Sequence, residues 1–250
     1  MNGTASLTHA EIAYQMKNAA PVIEAIETTP PNYRLPAPAA ASVISQSMEL
    51  PAIGRKSTTF PETTRAVTAT AAKGYIGARW TATDENNDTL QFKVEIRGVQ
   101  ETAWKLLRDN VRERYLSWDS TAYSDGKYVL RITATDAPSN PPDQALTTMR
   151  ESDPFLIDNT PPEITWGAVV SSLGITVPFH AKDALSILGK AEYSLNGGDW
   201  IVIEPTTRLT DSPEHDYRIG LSTRPPGELT VAVRVEDAYG NQAVAKTVLK

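Results

Sequence analysis

A run of acidic and amide side chains, DENND, separates two stretches of alternating polarity in this sequence. Asp84, Asn86 and Asp88 stand at the first, third and fifth positions of a calcium-loop spacing. Glu95 falls at the twelfth position, where such loops place a bidentate carboxylate. These oxygen ligands would suit a hard cation, with Asp136 from the end of a later strand. Calcium is the one cofactor that the sequence leaves open.

The same run also fits a turn. Position six of the spacing is Thr89, where a calcium loop needs Gly, and Glu95 lies in a strand pattern rather than at a helix start. Asn and Asp accept turn conformations and bond to their own backbone. We therefore favour a hairpin tip between two paired strands over a metal site. If the loops do converge on a cation, Asp158 and Asn159 are expected at the same end of the first unit as Asp136.

Acidic and aromatic residues recur at similar offsets. The pairs are Asp84 with Asp183, 99 positions apart, Asp136 with Asp237, 101 apart, and Trp104 with Trp200, 96 apart. Matching offsets from separate landmarks indicate one duplicated unit. For the aspartates we favour a side chain that caps the turn after its strand over a functional acid. For the tryptophans we favour a core position over a sugar-binding platform.

A turn near the C terminus offers a better candidate for a ligand-binding aromatic residue. Tyr239 stands beside Gly240 and Asn241, and a ring in such a turn is expected to be exposed. An exposed aromatic ring could contact a glycan or another protein. Tyr239 is therefore the predicted ligand-binding residue.

The sequence holds no constellation that indicates catalysis. The histidines, His9, His180 and His215, lie in different segments and in no zinc-binding spacing. The absence of Cys excludes thiol catalysis and thiolate metal sites. Neither a G-x-S-x-G elbow nor a glycine-rich phosphate loop occurs. We predict that the protein is not an enzyme.

The elements that must position these residues are strands. Apolar residues alternate with polar ones in several runs, and their apolar positions are Leu90, Phe92, Val94 and Ile96, then Tyr128, Leu130, Ile132 and Ala134, then Val231, Val233 and Val235. Such period-two runs are typical of half-buried strands. Gly, Pro and Asn clusters separate them at short intervals, as in β-sandwiches. We predict an all-β chain of two tandem sandwiches.

A proline-rich connection divides the predicted sandwiches. In DNTPPEI, from Asp158 to Ile164, two prolines remove backbone donors and keep the chain extended, as a short stiff linker requires. We place the first sandwich at 21–160 and the second at 161–250. The first carries a long irregular insertion at about 30–70, whose six prolines and small polar residues follow no period.

The first twenty residues are ambiguous. Thr8 and Glu11 have the spacing of a helix capping box, whereas Ile12, Tyr14 and Met16 alternate with polar or small residues as a strand does. We favour strands here, and we read PVIEAIE, which begins at residue 21, as the opening strand of the first sandwich. Residues 1–20 would then be an N-terminal segment that ends a preceding domain.

Four strings in the sequence carry a family resemblance: DGKYVLRITATDAPSN, IDNTPPEI, YSLNGGDW and VEDAYGNQA. They resemble tandem bacterial immunoglobulin-like or fibronectin type III-like modules. The segments APVIEAIETTPPNYR and GYIGARWTATDENNDTLQFKVEIRG are similar to modules in the C-terminal regions of large secreted proteins that contain β-propellers. The resemblance covers about 21–250. It implies an extracellular or periplasmic location, with other domains of a longer chain as partners, and it supplies no catalytic residues.

The composition of the chain excludes some classes of partner. Lys and Arg number 24 against 30 Asp and Glu, a net charge of −6, and a nucleic-acid surface needs a clustered basic excess instead. No apolar run reaches the length of a membrane span, and the N terminus lacks the pattern of a signal peptide.

Two functions remain open at this level. The first is a non-catalytic spacer or accessory module of a larger secreted bacterial protein. The alternative is an adhesion module that binds a glycan or a cell-surface protein and is stabilised by calcium.

Overall fold

The computed structural model describes residues 17–36, 68–171, 174–223 and 227–250. The predictions for residues 1–16, and for most of the insertion at about 30–70, fall outside these ranges. Every regular element in the described ranges is a strand. The predicted all-β sandwich architecture is confirmed.

The N-terminal part of the chain forms ten strands. They are β1 (Val22–Thr28), β2 (Tyr33–Arg34), β3 (Thr70–Ala71), β4 (Tyr75–Thr83), β5 (Gln91–Gly98), β6 (Lys105–Val111), β7 (Tyr115–Asp119), β8 (Gly126–Thr135), β9 (Thr147–Glu151) and β10 (Phe155–Ile157). We call this part the first module. One sheet has the order β1-β4-β7, and the other has the order β6-β5-β8 with β9 and β10 both paired to β8. The short pair β2-β3 joins the two described ends of the predicted insertion.

The C-terminal part repeats this plan as the second module. Its strands are β11 (Glu163–Trp166), β12 (Val170–Ser171), β13 (Ile175–Lys182), β14 (Leu188–Leu195), β15 (Ile201–Val202), β16 (Glu214–Leu221), β17 (Leu229–Asp237) and β18 (Gln242–Leu249). In one sheet β13 pairs with β11 and β12 on one side and with β16 on the other. The other sheet has the order β15-β14-β17-β18. Four strands facing four, with β11 and β12 sharing one edge of β13, form an immunoglobulin-like sandwich of the fibronectin type III kind.

Alternation of side chains builds a separate core in each module. The inward residues of β5 and β8 predicted from the sequence are all buried, as are those of β17. In the first core Phe92 meets the edge of Trp80 at 5.3 Å between ring centroids. In the second, Phe179 stacks on Tyr217 at 4.7 Å. Because the two cores share no residue, each module holds its own apolar interior.

The last strand of the first module is interrupted. Its two pieces, β9 and β10, are separated by Ser152, Asp153 and Pro154. Proline has no N–H for the sheet, so the ladder cannot continue through it. The Ser152 hydroxyl replaces part of the ladder by accepting the Leu130 N–H at 3.0 Å.

Strand pairing shows which loops meet at the upstream end of each module. Val22 at the start of β1 pairs with Thr83, and Glu163 at the start of β11 pairs with Lys182. The loops that leave β4 and β13 therefore lie beside the incoming chain, by which we mean the segment that leads into β1 or β11. The loops after β8 and β17 close the same end, because the end of each of these strands pairs with the start of the next strand along from β4 or β13: Thr135 pairs with Gln91 of β5, and Asp237 pairs with Leu188 of β14.

Candidate functional site

The upstream end of the first module gathers part of the predicted acidic cluster. Carboxylate oxygens of Asp84, Asp88 and Asp136 lie within 4.8 Å of one another. Asn86 points elsewhere, since its Oδ1 accepts the Ala19 N–H at 2.8 Å. The structure thus brings together three of the four residues predicted for a cation and places Asn86 on the incoming chain. Calcium binding by this group stays a prediction.

The DENND segment is a turn, but it is not a hairpin tip. Asp84 Oδ1 accepts the N–H groups of Asn86 at 2.9 Å and Asp88 at 3.2 Å, as a turn cap does. Asn87 has a φ of 58°, in the left-handed region that Asn tolerates. However, β4 and β5 belong to different sheets, so the prediction of two paired strands was wrong. The turn carries the chain from one sheet to the other.

The incoming chain completes this cluster. Asn18 donates from Nδ2 to Asp136 Oδ2 at 2.7 Å. Asn18 Oδ1 and Asp84 Oδ2 are both shielded from solvent and have no hydrogen-bond partner in the described part of the chain. Asp136 also accepts the Leu146 N–H at 2.7 Å, across its hairpin. The site therefore combines capped turns with two unpaired oxygens.

A second acidic group occupies the same position in the second module. Asp158, Asp183 and Asp237 are 1%, 4% and 3% exposed, and their carboxylate oxygens also lie within 4.8 Å of one another. Asp183 follows β13 and Asp237 ends β17, at positions equivalent to those of Asp84 and Asp136. Asp158 comes from the connection between the modules. We call these three residues the junction triad.

Two members of the junction triad are turn caps and one is not. Asp183 Oδ1 accepts the N–H groups of Leu185 and Ser186 at 2.8 Å and 2.7 Å. Asp237 Oδ1 accepts the N–H groups of Tyr239 and Asn241, both at 2.8 Å.

By contrast, Asp158 Oδ2 is buried without a hydrogen-bond partner in the described ranges. Burial raises the pKa of Asp158 to about 6. A side-chain hydrogen bond from Ser186 opposes this rise, and repulsion from Asp183 and Asp237 adds to it.

The position of Asp158 corrects an expectation. Asp158 follows β10, whose last residue Ile157 pairs with Gly126 at the start of β8. Asp136 follows the other end of β8, so Asp158 and Asn159 lie at the opposite pole of the first module from Asp136. They face the second module instead. The antiparallel pairing of β10 with β8 is the physical reason.

Asparagine side chains link the two modules at this junction. Asn32, in the loop after β1, donates from Nδ2 to the Tyr239 carbonyl at 2.8 Å and to Asn241 Oδ1 at 3.0 Å. Asn241 is fully buried and donates from Nδ2 to Asp237 Oδ2 at 2.8 Å and to the Asp158 carbonyl at 3.1 Å. Buried amides with all polar atoms satisfied hold one geometry, because each alternative would leave a buried group unpaired.

The connection itself is fastened to the first module by Asn159. Its backbone N–H donates to Asp125 Oδ1 at 2.9 Å, and its side-chain Nδ2 donates to the Ser120 carbonyl at 3.2 Å. The Ser120 hydroxyl donates to Asn159 Oδ1 at 3.1 Å. The DNTPPEI linker is thus bonded to the first module at Asn159 and to the second at Asp158.

Tyr239 is less exposed than its place in a turn predicted. It is half-buried at the junction, with its carbonyl bonded to Asn32 and its N–H bonded to Asp237. The expectation of an exposed ring was wrong, because Asn32 of the first module packs against this turn. Ligand binding at Tyr239 stays untested.

The repeated tryptophans lie on the outer faces of the sheets, so the prediction that they are core residues was wrong. The Arg131 guanidinium stacks over the Trp104 ring at 4.4 Å, and the Arg234 guanidinium stacks over Trp200 at the same distance. Trp200 is 37% exposed. A guanidinium on an indole face is a favourable cation–π contact. One face of each ring is therefore already occupied.

A buried glutamate holds each of these arginines. Glu95 lies directly across from Arg131, and Glu192 lies directly across from Arg234. Hydrogen bonds from Arg234 and then Lys190 hold the pKa of Glu192 below its ordinary value of 4.5. For Glu95, burial raises the pKa, but hydrogen bonds from Lys93 and Arg131 outweigh it and the net pKa is lowered. The Glu, Arg and Trp residues form the same stack in both modules.

Two histidines lie on neighbouring strands but on opposite faces. His215 points into the second core, where it is 5% exposed. His180 faces solvent, and its Nδ1 lies 2.9 Å from Asp216 Oδ1, a distance that suits a base and its orienting acid. This pair lines a shallow depression of about 310 Å³ with Trp166 and Arg218. A catalytic site also needs donors aimed at a developing charge, and the N–H groups of a central strand are used within the sheet.

Sequence reasoning missed Asn32, Asn241 and Ser120 as parts of the site. Asn32 falls inside the segment read as an irregular insertion, and Asn241 reads as an ordinary turn residue. The repeat had already paired Asp183 and Asp237 with Asp84 and Asp136, but it did not show that Asp158 of the linker joins the second pair. In the described part of the chain no helix is both long and apolar enough to cross a bilayer.

No protein-family model matches the chain, and no curated protein matches it significantly. Among solved structures, a crystal structure of the chicken CNTN1 FN1–FN3 domains is similar, with 12% sequence identity and a TM-score of 0.29. The match covers 71% of this chain and 63% of that one, so less than two thirds of the chicken fragment is spanned. The fold assignment rests on the strand order described above.

Proposed function

We propose that this chain is a non-catalytic spacer that holds two sandwich modules, and whatever is joined to them, in one fixed relative orientation. The observation that carries this proposal is the junction formed by Asn32, Asn159 and Asn241. Two modules that move independently on a flexible linker would need no buried amide network between them. Here a buried side chain of each module bonds to the other, and the linker bonds to both.

The wider setting belongs to the same proposal. The resemblance of the linker and the last strands to tandem bacterial modules supports an accessory segment of a longer secreted protein, in an extracellular or periplasmic location. Its direct partners would then be neighbouring domains of that longer chain. A stiff two-module rod would keep such domains at a set distance.

Distance measurements between spin labels would test the spacer function. The chain has no Cys, so Arg112→Cys and Arg218→Cys give one exposed label in each module. We expect a single narrow distance distribution in electron–electron double resonance. Adding Asn32→Ala should broaden it, because both bonds from Asn32 to the second module are lost. A broad distribution in the doubly labelled parent would overturn the proposal.

An adhesion role is the second candidate, with a glycan or a cell-surface protein as ligand. It is favoured by apolar residues on the outer face of the second module, where Ile201 and Val202 are 48% and 61% exposed beside Trp200. Arg234 already covers one face of Trp200, which weakens this candidate. We expect no retention on glycan or extracellular-matrix affinity columns. Retention that is lost in Trp200→Ala would instead establish the adhesion role.

A further inference from the structure

The junction triad has the chemistry of a cation site. We propose that Asp158, Asp183 and Asp237 bind one divalent cation of the calcium class between the two modules. All three donors are carboxylates, the hard oxygen ligands that calcium prefers. The inference deepens the proposed spacer function, and it concerns different residues from the cluster around Asp84.

The spacing of the three carboxylates fits one ion. Calcium lies about 2.3–2.6 Å from each oxygen ligand, so two ligands on opposite sides of it are about 5 Å apart. The oxygens of the junction triad lie within 4.8 Å of one another. These separations are compatible with one cation that contacts all three carboxylates.

One oxygen of Asp158, Oδ2, points to a missing partner, although the Ser186 hydroxyl lies close enough to the carboxylate to lower its pKa. The side chain is 1% exposed, and Oδ2 accepts no hydrogen bond in the described ranges. None of the ion pairs among the described residues includes Asp158, Asp183 or Asp237. An uncompensated buried carboxylate is costly, and three close together are more so. A bound divalent cation would remove both the repulsion and the unpaired oxygen.

The other two carboxylates are already oriented toward this space. Three hydrogen bonds from Leu185 and Ser186 fix Asp183 through its Oδ1 atom. The backbone N–H groups of Tyr239 and Asn241 fix Asp237 through Oδ1, and Asn241 Nδ2 donates to its Oδ2 at 2.8 Å. Ligands held by such supporting bonds pay little rotamer entropy when an ion binds. The triad thus consists of two preorganised ligands and one ligand from the linker that has an unpaired oxygen.

The first module provides an independent parallel. At its upstream end Asp84, Asp88 and Asp136 converge in the same way, and Asn18 of the incoming chain stands where Asp158 stands in the second module. There too an inward carboxylate oxygen, Asp84 Oδ2, lacks a partner. Oxygen ligands therefore converge at the upstream end of both modules. All three carboxylates are buried only in the junction triad.

A cation in the junction triad would act on the orientation of the modules. Asp158 belongs to the linker, which Asn159 fastens to the first module, whereas Asp183 and Asp237 belong to the second. One ion bound by all three would add a direct tie between the linker and the second module. Calcium would then stiffen the junction as well as stabilise it.

Calcium titration of chelator-treated protein tests the site. We expect calorimetric uptake of calcium and a rise in Tm of about 5 °C in millimolar calcium chloride relative to excess EDTA. Asp158→Asn should weaken calcium binding at the junction at least about tenfold, since one charged ligand is lost. Without calcium, Asp158→Asn should be more stable than the parent, because the repulsion is relieved. That second result also shows that the variant folds.

Two matched variants separate the possible outcomes. Asp199→Asn removes an exposed carboxylate of the same module and should bind calcium like the parent. Asp84→Asn removes a ligand from the first cluster and should leave the junction response intact. Coincident melts of the parent in calcium and in EDTA would overturn the proposal. So would a calcium response that survives Asp158→Asn and disappears in Asp84→Asn.

The spacer function and the cation site can fail separately. Repeating the spin-label distance measurement in EDTA and in calcium distinguishes them. A narrow distribution in both conditions, without calcium uptake, leaves the spacer and removes the cation. Calcium uptake that is lost in Asp158→Asn, together with a broad distribution throughout, leaves the cation and removes the spacer.

Discussion

Phe179→Ala is expected to destabilise the second module by about 3–5 kcal/mol, the usual cost of removing a buried phenylalanine ring. Phe179 is 2% exposed and stacks on Tyr217 with the ring planes 7° apart. Trp166 meets the same ring edge-on at 5.9 Å, so the cavity would be walled by two large side chains that cannot easily collapse. Hydrogen exchange read by mass spectrometry should show faster exchange in peptides from 163–249.

The matched variant in the first module is Phe92→Ala, since Phe92 is 1% exposed and packs on Trp80. It should accelerate exchange in the first module by a similar factor and leave the second core protected. Val202→Ala, at a position that is 61% exposed, serves as a control with an effect within about 0.5 kcal/mol. Equal loss of protection in both modules from either Phe variant would contradict the assignment of two separate cores.

Asn241→Ala is expected to cost about 3 kcal/mol and to loosen the junction. The substitution deprives three groups of a partner: Asp237 Oδ2, the Asp158 carbonyl and one hydrogen bond of Asn32 Nδ2. Each buried polar group left unpaired costs about 1–3 kcal/mol, although Asn32 keeps its bond to Tyr239. Urea unfolding should show a lower midpoint, and exchange should increase around Asn32.

The repeat supplies a control for this variant. Asn140 stands four residues after Asp136, as Asn241 stands four residues after Asp237. It donates to Asp88 Oδ2 at 2.7 Å but is only half-buried, so water can replace its bonds. Asn140→Ala should therefore cost about 1 kcal/mol. An equal cost for the two variants would mean that the contact between modules adds nothing to Asn241.

The strand patterns were predictable because burial follows from local alternation. Phe92 and Val94 lie on the apolar side of one run, Val231 and Val233 lie on that of another, and all four are buried. The period of two is a property of the strand itself and needs no knowledge of its neighbours. The same holds for Asp84, whose turn-capping bonds reach residues only two and four positions away.

Features that depend on strand order were not predictable in this way. A strand, a turn and a second strand read alike whether the chain makes a hairpin or crosses to the other sheet, so the DENND segment was misread. The outer position of Trp104 depends on Arg131 lying across from Glu95, and only the pairing of β5 with β8 sets this register. Asp158 was expected at the wrong end of the first module for the same reason, since its position depends on the pairing of β10 with β8.

Contacts between modules were the least accessible. Asn32 and Asn241 are 209 residues apart, and neither the composition of the insertion nor that of the turn marks them as partners. The acidic residues were visible as a repeat, but the convergence of Asp158 with Asp183 and Asp237 required the path of the linker. Local sequence patterns indicate which residues form a turn, but they do not indicate which distant residues that turn contacts.

The two modules end in strands of unequal continuity, and this bears on self-association. The last strand of the first module is broken at Pro154, so it offers no long ladder to another molecule. In the described part of the chain β18 is an unbroken edge of eight residues, with Val244 and Val248 exposed. Lys246 stands midway between these valines, and a charged lysine on an edge strand discourages pairing with a second copy. We therefore expect Lys246 to disfavour strand-to-strand aggregation at the C-terminal edge, as Pro154 does at the last strand of the first module.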